Sequence, residues 1–244
     1  MRDLFLATAL LVSPTTLANC DGGSSSGGTS TGSTSGSTGT GGTGGTGGTG
    51  GTGGTAPACA AYDSTEQESA PIQTAAGGLP RGASGLRWSD PVSYTTRIAY
   101  RGTPGSAAHH EGIDWVHRDA SVPEVDVAVA AAGEVVYVRT GCPESATFSR
   151  NTDLRECGSG WGNHVVVHHG GAAYSRYAHL ADGQVFVQVG DTLASGDVIA
   201  VMGNTGRSEV RHLHFELGSI AGPIDPCGPA WSFDSVYDPA GVGL

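Results

Sequence analysis

The segment 22–55 contains only Gly, Ser and Thr and ends in a repeated Gly-Gly-Thr triplet. Such a segment has almost no apolar surface to bury, so it cannot offset the chain entropy that is lost on folding. A Gly-rich coil of this length has a root-mean-square span of roughly 30–35 Å and reaches on the order of 110 Å when fully stretched. We therefore predict a disordered, flexible linker within residues 20–58, so that any folded domain must follow it.

The residues before this linker are typical of an exported chain. An apolar run at 4–11 follows Arg2, as in a signal peptide, and it is too short to span a bilayer, which takes about 20 residues. The segment Leu-Ala-Asn-Cys at 17–20 resembles the lipobox of bacterial lipoproteins. We predict a lipoprotein signal peptide over 1–19 and a lipid on Cys20 that anchors an extracytoplasmic protein to a membrane. The Asn before the Cys is unusual there, so an ordinary signal peptide remains the alternative.

The cysteines fit an oxidising compartment. Five Cys are present, and setting aside Cys20 leaves an even number, as expected for disulfides in an exported chain. Cys142 and Cys157 bracket a polar insertion between two predicted strands, so we expect them to close it. Cys59 and Cys227 would then join the start of the folded domain to its end. No C-x-x-C pair is present, which argues against a cysteine metal site.

The charge balance argues against two kinds of partner. The formal net charge is −11, and the 12 basic residues are all Arg. Nucleic-acid binding needs a dense basic patch, and a polybasic membrane contact needs the same.

The Val-Gly-Asp and Ser-Gly-Asp-Val turns at 189–191 and 195–198 resemble those of biotinyl- or lipoyl-carrier domains. Such domains need an attachment Lys, and the chain has none.

Strand signals dominate the chain from about Leu79 onward. Short stretches rich in Val, Ile and Tyr alternate with Gly, Asp and Asn turns. They predict strands at 125–131, 133–139, 164–169, 172–178, 185–189, 198–202 and 212–217. No long stretch has helical periodicity. We predict a mainly β fold, a single antiparallel β-sheet or barrel-like domain of roughly 150 residues with one core.

Two segments bring together side chains that bind metals. An extended backbone places residues i and i+4 on one face, so His110 and Asp114 can converge on one ion, with Gly112 allowing a bend between them. In the segment 212–217, strand alternation places His212, His214 and Glu216 on one face and the three apolar residues on the core side.

Two imidazoles and one carboxylate are the ligand set of a catalytic zinc site with an open position for water. Such a site also needs a group that handles protons, and His179, at the expected end of a strand, together with the spare His212 would supply it. We expect the five remaining His to lie on the surface: His109, His117, His164, His168 and His169.

Lysostaphin-type (LytM-like) zinc endopeptidases carry motifs that these segments resemble, namely H-x-G-x-D at 110–114, Tyr-Ala-His-Leu at 177–180 and His-Leu-His-Phe-Glu at 212–216. Further segments fall in the family's order, at 132–135, 161–163, 189–191, 203–206 and 223–226. The resemblance extends from about Leu86 to Pro226.

The resemblance implies a function and a site. His110, Asp114 and His214 would ligate one Zn²⁺ per chain in an open groove, and His179 and His212 would be the catalytic pair. The substrate would be the stem peptides and cross-bridges of bacterial peptidoglycan; a protein regulator is left open. The zinc peptidase domain would occupy 86–230, with a lead-in at 59–85 and a tail at 231–244.

Two departures from the family bear on substrate preference. Arg211 stands where the family usually has Pro before the H-x-H, and the insertion at 141–160 is longer than usual. The alternative function is that of a non-catalytic LytM-like regulator that activates cell-wall amidases. Such regulators have lost zinc ligands, whereas this chain keeps all five site residues, which favours the enzyme.

Overall fold

The computed structural model describes residues 73–244. The predicted signal peptide, the lipid-attachment Cys20, the linker and Cys59 lie outside the described residues. Within the described part of the chain, no helix is long and apolar enough to cross a membrane.

The described residues are mainly β, as predicted, with eleven strands and two short 3-10 helices. The strands are β1 Thr74–Ala75, β2 Thr96–Ile98, β3 Ile113–Val116, β4 Asp126–Ala128, β5 Gly133–Arg139, β6 Asn163–His168, β7 Tyr174–Val185, β8 Thr192–Leu193, β9 Val198–Met202, β10 His212–Ser219 and β11 Ser235–Tyr237. The 3-10 helices span Cys157–Gly160 and Pro239–Val242.

All the strands belong to a single sheet, which is not closed into a barrel. Its main order is β1-β11-β10-β7-β6-β5-β8, with β3 and β2 branching from β10 and with β9 and β4 branching from β7. The ladders are antiparallel except that β1 pairs with β11 in parallel. The single sheet is therefore confirmed, but the barrel is wrong, because β1 and β8 end the order without pairing to each other.

Except at 185–189, each predicted strand overlaps an observed one, although β4 is shorter than predicted and β7 extends seven residues further. The sequence did not predict β1, β2, β3, β8 or β11. Val185 ends β7, and beyond it Phe186 N–H still donates to Ile199 O at 2.9 Å, but no ladder continues. The segment 185–189 is therefore not a separate strand, because only Val185 belongs to the sheet, where it pairs with Ala200. Residues 231–244 contribute β11, which pairs with β10 and with β1.

The core lies on one face of β10 and its neighbours. Leu213, Phe215 and Leu217 are fully buried there, as their alternation predicted. Phe215 meets Trp115 and Tyr177 edge to face, with ring centroids 5.6 and 5.2 Å apart. Burying each such side chain contributes roughly 1.5–3 kcal/mol, so this cluster fixes which face of β10 is left for the site.

The predicted disulfide between Cys142 and Cys157 is present and closes the insertion at 141–160. Cys227 is also disulfide-bonded. Because Cys59 lies outside the described residues, the Cys59–Cys227 pairing stays a prediction.

Three of the five His expected on the surface, His117, His164 and His169, are instead buried. His169 bonds through Nδ1 to Ala132 O at 2.9 Å and through Nε2 to Ser175 Oγ at 2.7 Å. The His164 ring stacks on Tyr137, with centroids 5.4 Å apart. Local hydrogen bonds and ring contacts therefore override the usual exposure of His.

Acid should destabilise the fold through His164. Burial, together with the nearby Arg176 cation, lowers the pKa of His164 from 6.5 to about 3. The unfolded chain therefore takes up the proton first, and the stability present above pH 6.5 is lost as the pH falls from 6.5 toward 3.

Urea unfolding across this pH range measures the effect. His164→Phe should flatten the pH dependence of the unfolding free energy, and His168→Phe, which replaces a less buried His, should leave it unchanged. An equally steep profile in His164→Phe would contradict the assignment.

Candidate metal centre

The strand register brings the predicted ligands together. Asp114 on β3 lies directly opposite His214 on β10, and His214 lies opposite Ala178 on β7. Paired residues project on the same face of a sheet, so the small Ala178 side chain leaves space beside His214. His212 and His214 share this face because they are two residues apart.

His110, Asp114 and His214 form a cluster that could hold a metal ion. Their ligand atoms lie within 4.8 Å of one another. Asp114 Oδ1 is 2.7 Å from His214 Nδ1 and 3.1 Å from His110 Nε2. The buried His110 Nε2 nevertheless has no partner in hydrogen-bonding geometry. A buried nitrogen lone pair beside a carboxylate fits Zn²⁺, which takes His nitrogen and carboxylate oxygen as ligands.

Backbone contacts orient His110. Its Nδ1–H donates to Ala99 O at 2.8 Å, which leaves the Nε2 lone pair facing Asp114. His110 also forms an isolated antiparallel bridge with Arg101. Gly112 is required for a reason other than a bend: a Cβ there would lie 1.9 Å from Phe215 O on β10.

Glu216 orients His214 from behind. His214 Nε2 lies 3.2 Å from Glu216 Oε1 and its Nδ1 lies 2.7 Å from Asp114 Oδ1, so each ring nitrogen faces a carboxylate. Glu216 also accepts from Trp161 Nε1 at 2.7 Å and from Arg176 Nη1 at 3.0 Å. A carboxylate that holds the outer nitrogen of a metal-binding His fixes its ring and raises its basicity.

The electrostatics of the cluster keep both carboxylates ionised. Burial acts to raise the pKa of Asp114, but the adjacent imidazoles of His110 and His214 hold it far below its ordinary value. Burial likewise opposes ionisation of Glu216, yet Arg176 and His214 lower its pKa to about 2. Although burial disfavours the cation, the two carboxylates raise the pKa of His214 to about 10. The site is thus built to hold a positive charge between Asp114 and Glu216.

Arg176 is the anchor that sequence reasoning missed. It is fully buried, with its guanidinium carbon 3.6 Å from the Trp161 ring centroid and 4.6 Å from that of Phe233. Its Nη2 donates to Trp231 O at 2.5 Å. In the sequence, Arg176 falls in a predicted strand, but nothing there indicates that it faces Glu216. That position depends on the pairing of β7 with β10.

His179 reaches the site through an unusual backbone conformation. It lies inside β7 rather than at its end, with φ of +61°. Regular alternation would turn it away from Ala178's face, but its ring lies 4.6 Å from that of His212 and 5.9 Å from that of His214, between centroids. Its N–H donates to Trp161 O at 2.8 Å and its carbonyl accepts from Gly203 N at 3.0 Å, so neighbours hold this left-handed conformation in place.

Both candidate catalytic imidazoles are neutral. Burial lowers the pKa of His179 well below 6.5, and burial also lowers that of His212. His179 Nδ1–H donates to Thr205 O and His212 Nδ1–H donates to Val210 O, each at 2.7 Å. In both rings the Nε2 lone pair is therefore the one left for proton transfer.

Arg211, which stands where the family usually has Pro before β10, contacts both the segment 117–123 and the insertion at 141–160. It is buried, and its guanidinium donates to the carbonyls of His117, Asp119, Val122 and Pro123. The Phe148 ring of the insertion packs on it, with the centroid 4.8 Å from the guanidinium carbon. Arg211 N–H also donates to Thr147 O at 2.7 Å. Arg211 thus fastens the insertion beside His212.

The comparisons with known proteins identify a family for the region that holds the cluster. The sequence model of peptidase family M23 matches residues 108–226, which include every one of the five site residues. Residues 108–226 form a peptidase family M23 domain. Peptidases of this family are zinc-dependent metalloendopeptidases, and the His-Asp-His cluster fits such a metal.

Two curated relatives share part of this region. The DD-carboxypeptidase/endopeptidase Mpg of Neisseria meningitidis is 37% identical over 90 residues, which cover 37% of this chain and 20% of Mpg. The peptidoglycan DD-endopeptidase ShyA of Vibrio cholerae is 43% identical over 64 residues, which cover 26% of this chain and 14% of ShyA. The matched region is thus about a fifth or less of the length of these M23 relatives.

Among solved structures, the catalytic domain of the antimicrobial peptidase lysostaphin from Staphylococcus simulans aligns with a TM-score of 0.39 and 20% identity. The alignment covers 59% of this chain and 89% of that domain.

Proposed function

We propose that this chain is a zinc-dependent endopeptidase that hydrolyses peptide cross-bridges of bacterial peptidoglycan. The observation that carries the proposal is the position of two neutral imidazoles, His179 and His212, beside a His-Asp-His cluster on one face of the sheet. A metal cluster alone would fit many roles, but a proton-handling pair beside it is what amide hydrolysis requires.

His110 Nε2, an Asp114 carboxylate oxygen and His214 Nδ1 would hold the ion. Bound zinc would supply Lewis acidity and a water whose pKa is lowered from 15.7 to about 7. Glu216 would keep His214 Nδ1 aimed at the ion, and Ala99 O would do the same for His110 Nε2.

His179 and His212 would move the proton. A neutral imidazole with a free Nε2 can accept a proton from the attacking water and can return it to the leaving amine. Thr205 O and Val210 O keep the Nδ1 hydrogens in place, so each ring presents Nε2 to the substrate without rearranging. The protonated ring can also stabilise negative charge that develops on the amide oxygen.

The proposed substrate class is supported by the relatives and by the predicted extracytoplasmic location of the chain. Mpg is named a DD-carboxypeptidase/endopeptidase and ShyA a peptidoglycan DD-endopeptidase. We propose that a lipid on Cys20 and the Gly-rich linker hold the domain at the membrane while letting it sample the adjacent wall. Peptidoglycan cross-bridges are the peptides within its reach there.

Digestion of cross-linked muropeptides by the zinc-loaded full chain tests the proposal. We expect cross-linked species to fall and uncross-linked species to rise by mass spectrometry, and a chelator to stop the conversion until zinc is restored. A chain that binds zinc but leaves every cross-link intact would instead support the non-catalytic regulator of amidases.

The same assay tests the catalytic pair. His179→Ala and His212→Ala should each lower kcat by roughly 100-fold to 10,000-fold, the contribution of a general acid–base group. Zinc content should remain at one ion per chain, because neither residue is a proposed ligand. Loss of zinc in either variant would assign that residue to the ligand set instead.

A further inference from the structure

The insertion at 141–160 is fastened to the loop 203–211, which connects β9 to β10. Asn204 is the fastening point: its side-chain amide Nδ2 donates to the carbonyls of Ala146 and Ser149, the latter at 2.8 Å. Its backbone N–H donates to Glu144 Oε2 at 2.6 Å. Asn204 is fully buried, so the insertion fixes the orientation of its amide group.

The fixed amide determines how Ser208 is oriented. Because Asn204 Nδ2 is used by the insertion, Asn204 Oδ1 is left as an acceptor for Ser208 Oγ, at 2.5 Å. Val210 O is a second acceptor, at 3.0 Å. A hydroxyl has one hydrogen, and the shorter contact takes it. The hydroxyl oxygen of the fully buried Ser208 is then free to accept a hydrogen bond from His212 Nδ1–H, at 3.1 Å.

His212 Nδ1 therefore lies within hydrogen-bonding distance of two acceptors, Val210 O at 2.7 Å and Ser208 Oγ. Two acceptors require a hydrogen on Nδ1, which leaves the lone pair on Nε2, on the side that faces Asp114. A single chain of hydrogen bonds thus runs from the insertion through Asn204 and Ser208 to the ring of His212.

We propose that Asn204 and Ser208 are positioning residues for His212, and that the insertion holds them in place. This inference rests on the proposed function, because it assigns the insertion a part in the same hydrolysis. Neither residue belongs to the metal cluster, so they affect the reaction only by fixing the ring of His212.

Ser208→Ala in the zinc-loaded full chain is the first test. We expect kcat for cross-linked muropeptides to fall about 10-fold to 100-fold, the usual cost of a small misplacement of a catalytic group. KM and zinc content should stay unchanged. The matched control is Ser175→Ala, which removes another fully buried Ser bonded to a buried His, at 2.7 Å from His169 Nε2. Equal losses of kcat in both variants would show a purely structural effect and overturn the proposal.

Nuclear magnetic resonance gives a readout that does not depend on turnover. In the wild-type chain the His212 Nδ1–H hydrogen should exchange slowly with solvent and be visible in a ¹H–¹⁵N spectrum. Ser208→Ala should broaden or remove this signal, and Ser175→Ala should not. An unchanged signal in Ser208→Ala would overturn the role of Ser208, even if the wild-type chain proved unable to cleave muropeptides. Failure of the wild-type chain to cleave would overturn only the proposed function.

Double-mutant cycles test the part played by the insertion. If Asn204 acts through Ser208, the double variant Asn204→Ala/Ser208→Ala should lose no more kcat than Asn204→Ala alone. Should Asn204→Ala not fold, the pair Cys142→Ser/Cys157→Ser frees both ends of the insertion and leaves these hydrogen-bonding atoms in place. Ser208→Ala should then have a smaller effect in that background. Fully additive losses in either cycle would overturn the role of the insertion.

Discussion

Replacing His110 by Ala is expected to remove the bound metal ion and the hydrolysis of cross-links together. His110 Nε2 is a buried nitrogen without a hydrogen-bond partner, and of the cluster only Asp114 and His214 would remain to bind zinc. Loss of a group that merely supports a ligand costs about 10-fold to 100-fold in metal affinity or activity, so loss of a ligand should cost at least about 100-fold. Zinc analysis of the purified variant and muropeptide digestion measure the two losses.

His109→Ala is the matched control, because the neighbouring His109 is exposed and takes no part in the cluster. It should keep its zinc and its rate. If His110→Ala retained one zinc per chain and full hydrolysis, the ligand assignment would be wrong. If both variants lost zinc, the cause would be a general disturbance of the segment before β3 and not the removal of one ligand.

Replacing Arg176 by Ala is expected to damage both the fold and the metal site. The change leaves the Glu216 carboxylate buried without its cation, and breaking a buried ion pair in this way costs about 3–5 kcal/mol. Glu216 would then hold His214 less firmly, which should weaken zinc binding by roughly 10-fold to 100-fold. Urea unfolding gives the free energy, and zinc titration against a competing chelator gives the affinity.

The chain contains its own control for this prediction. Arg207 pairs with Glu156 at the surface, where both side chains are partly exposed. Arg207→Ala should lower the unfolding free energy by no more than about 1 kcal/mol and should leave zinc affinity unchanged. Arg176→Lys, which keeps the charge but loses the planar guanidinium, should fall between Arg176→Ala and the wild-type chain. Equal effects of Arg176→Ala and Arg207→Ala would show that the buried pair does not support the site.

Periodicity predicted only the local part of the site. His212, His214 and Glu216 share a face through strand alternation, and the structure places them so. The facing of Asp114 and His214 depends on the register of β3 against β10, which the sequence does not state. The family resemblance, and not the periodicity, indicated that Asp114 and His214 bind the same ion.

Other parts of the site depend on contacts between distant segments. His179 joins the cluster only because its φ is positive, and that conformation is held by Trp161 and Gly203. A non-glycine residue in the left-handed region gives no signal in composition or alternation. The burial of His164 and His169 was missed for a similar reason, since their partners come from turns and neighbouring strands.

The position of β10 in the branched sheet limits how the site can come apart. One edge of β10 is paired with β7, and the other with β3 and then with β11. A strand held along both edges has no free side from which to fray, so its amides should exchange with deuterium only when the whole sheet opens. By contrast, β2 is paired only with β3 and should exchange earlier. The side chains of Asp114 and His214 should then stay in register after a chelator removes a bound ion, and zinc that is restored would find both ligands already in place.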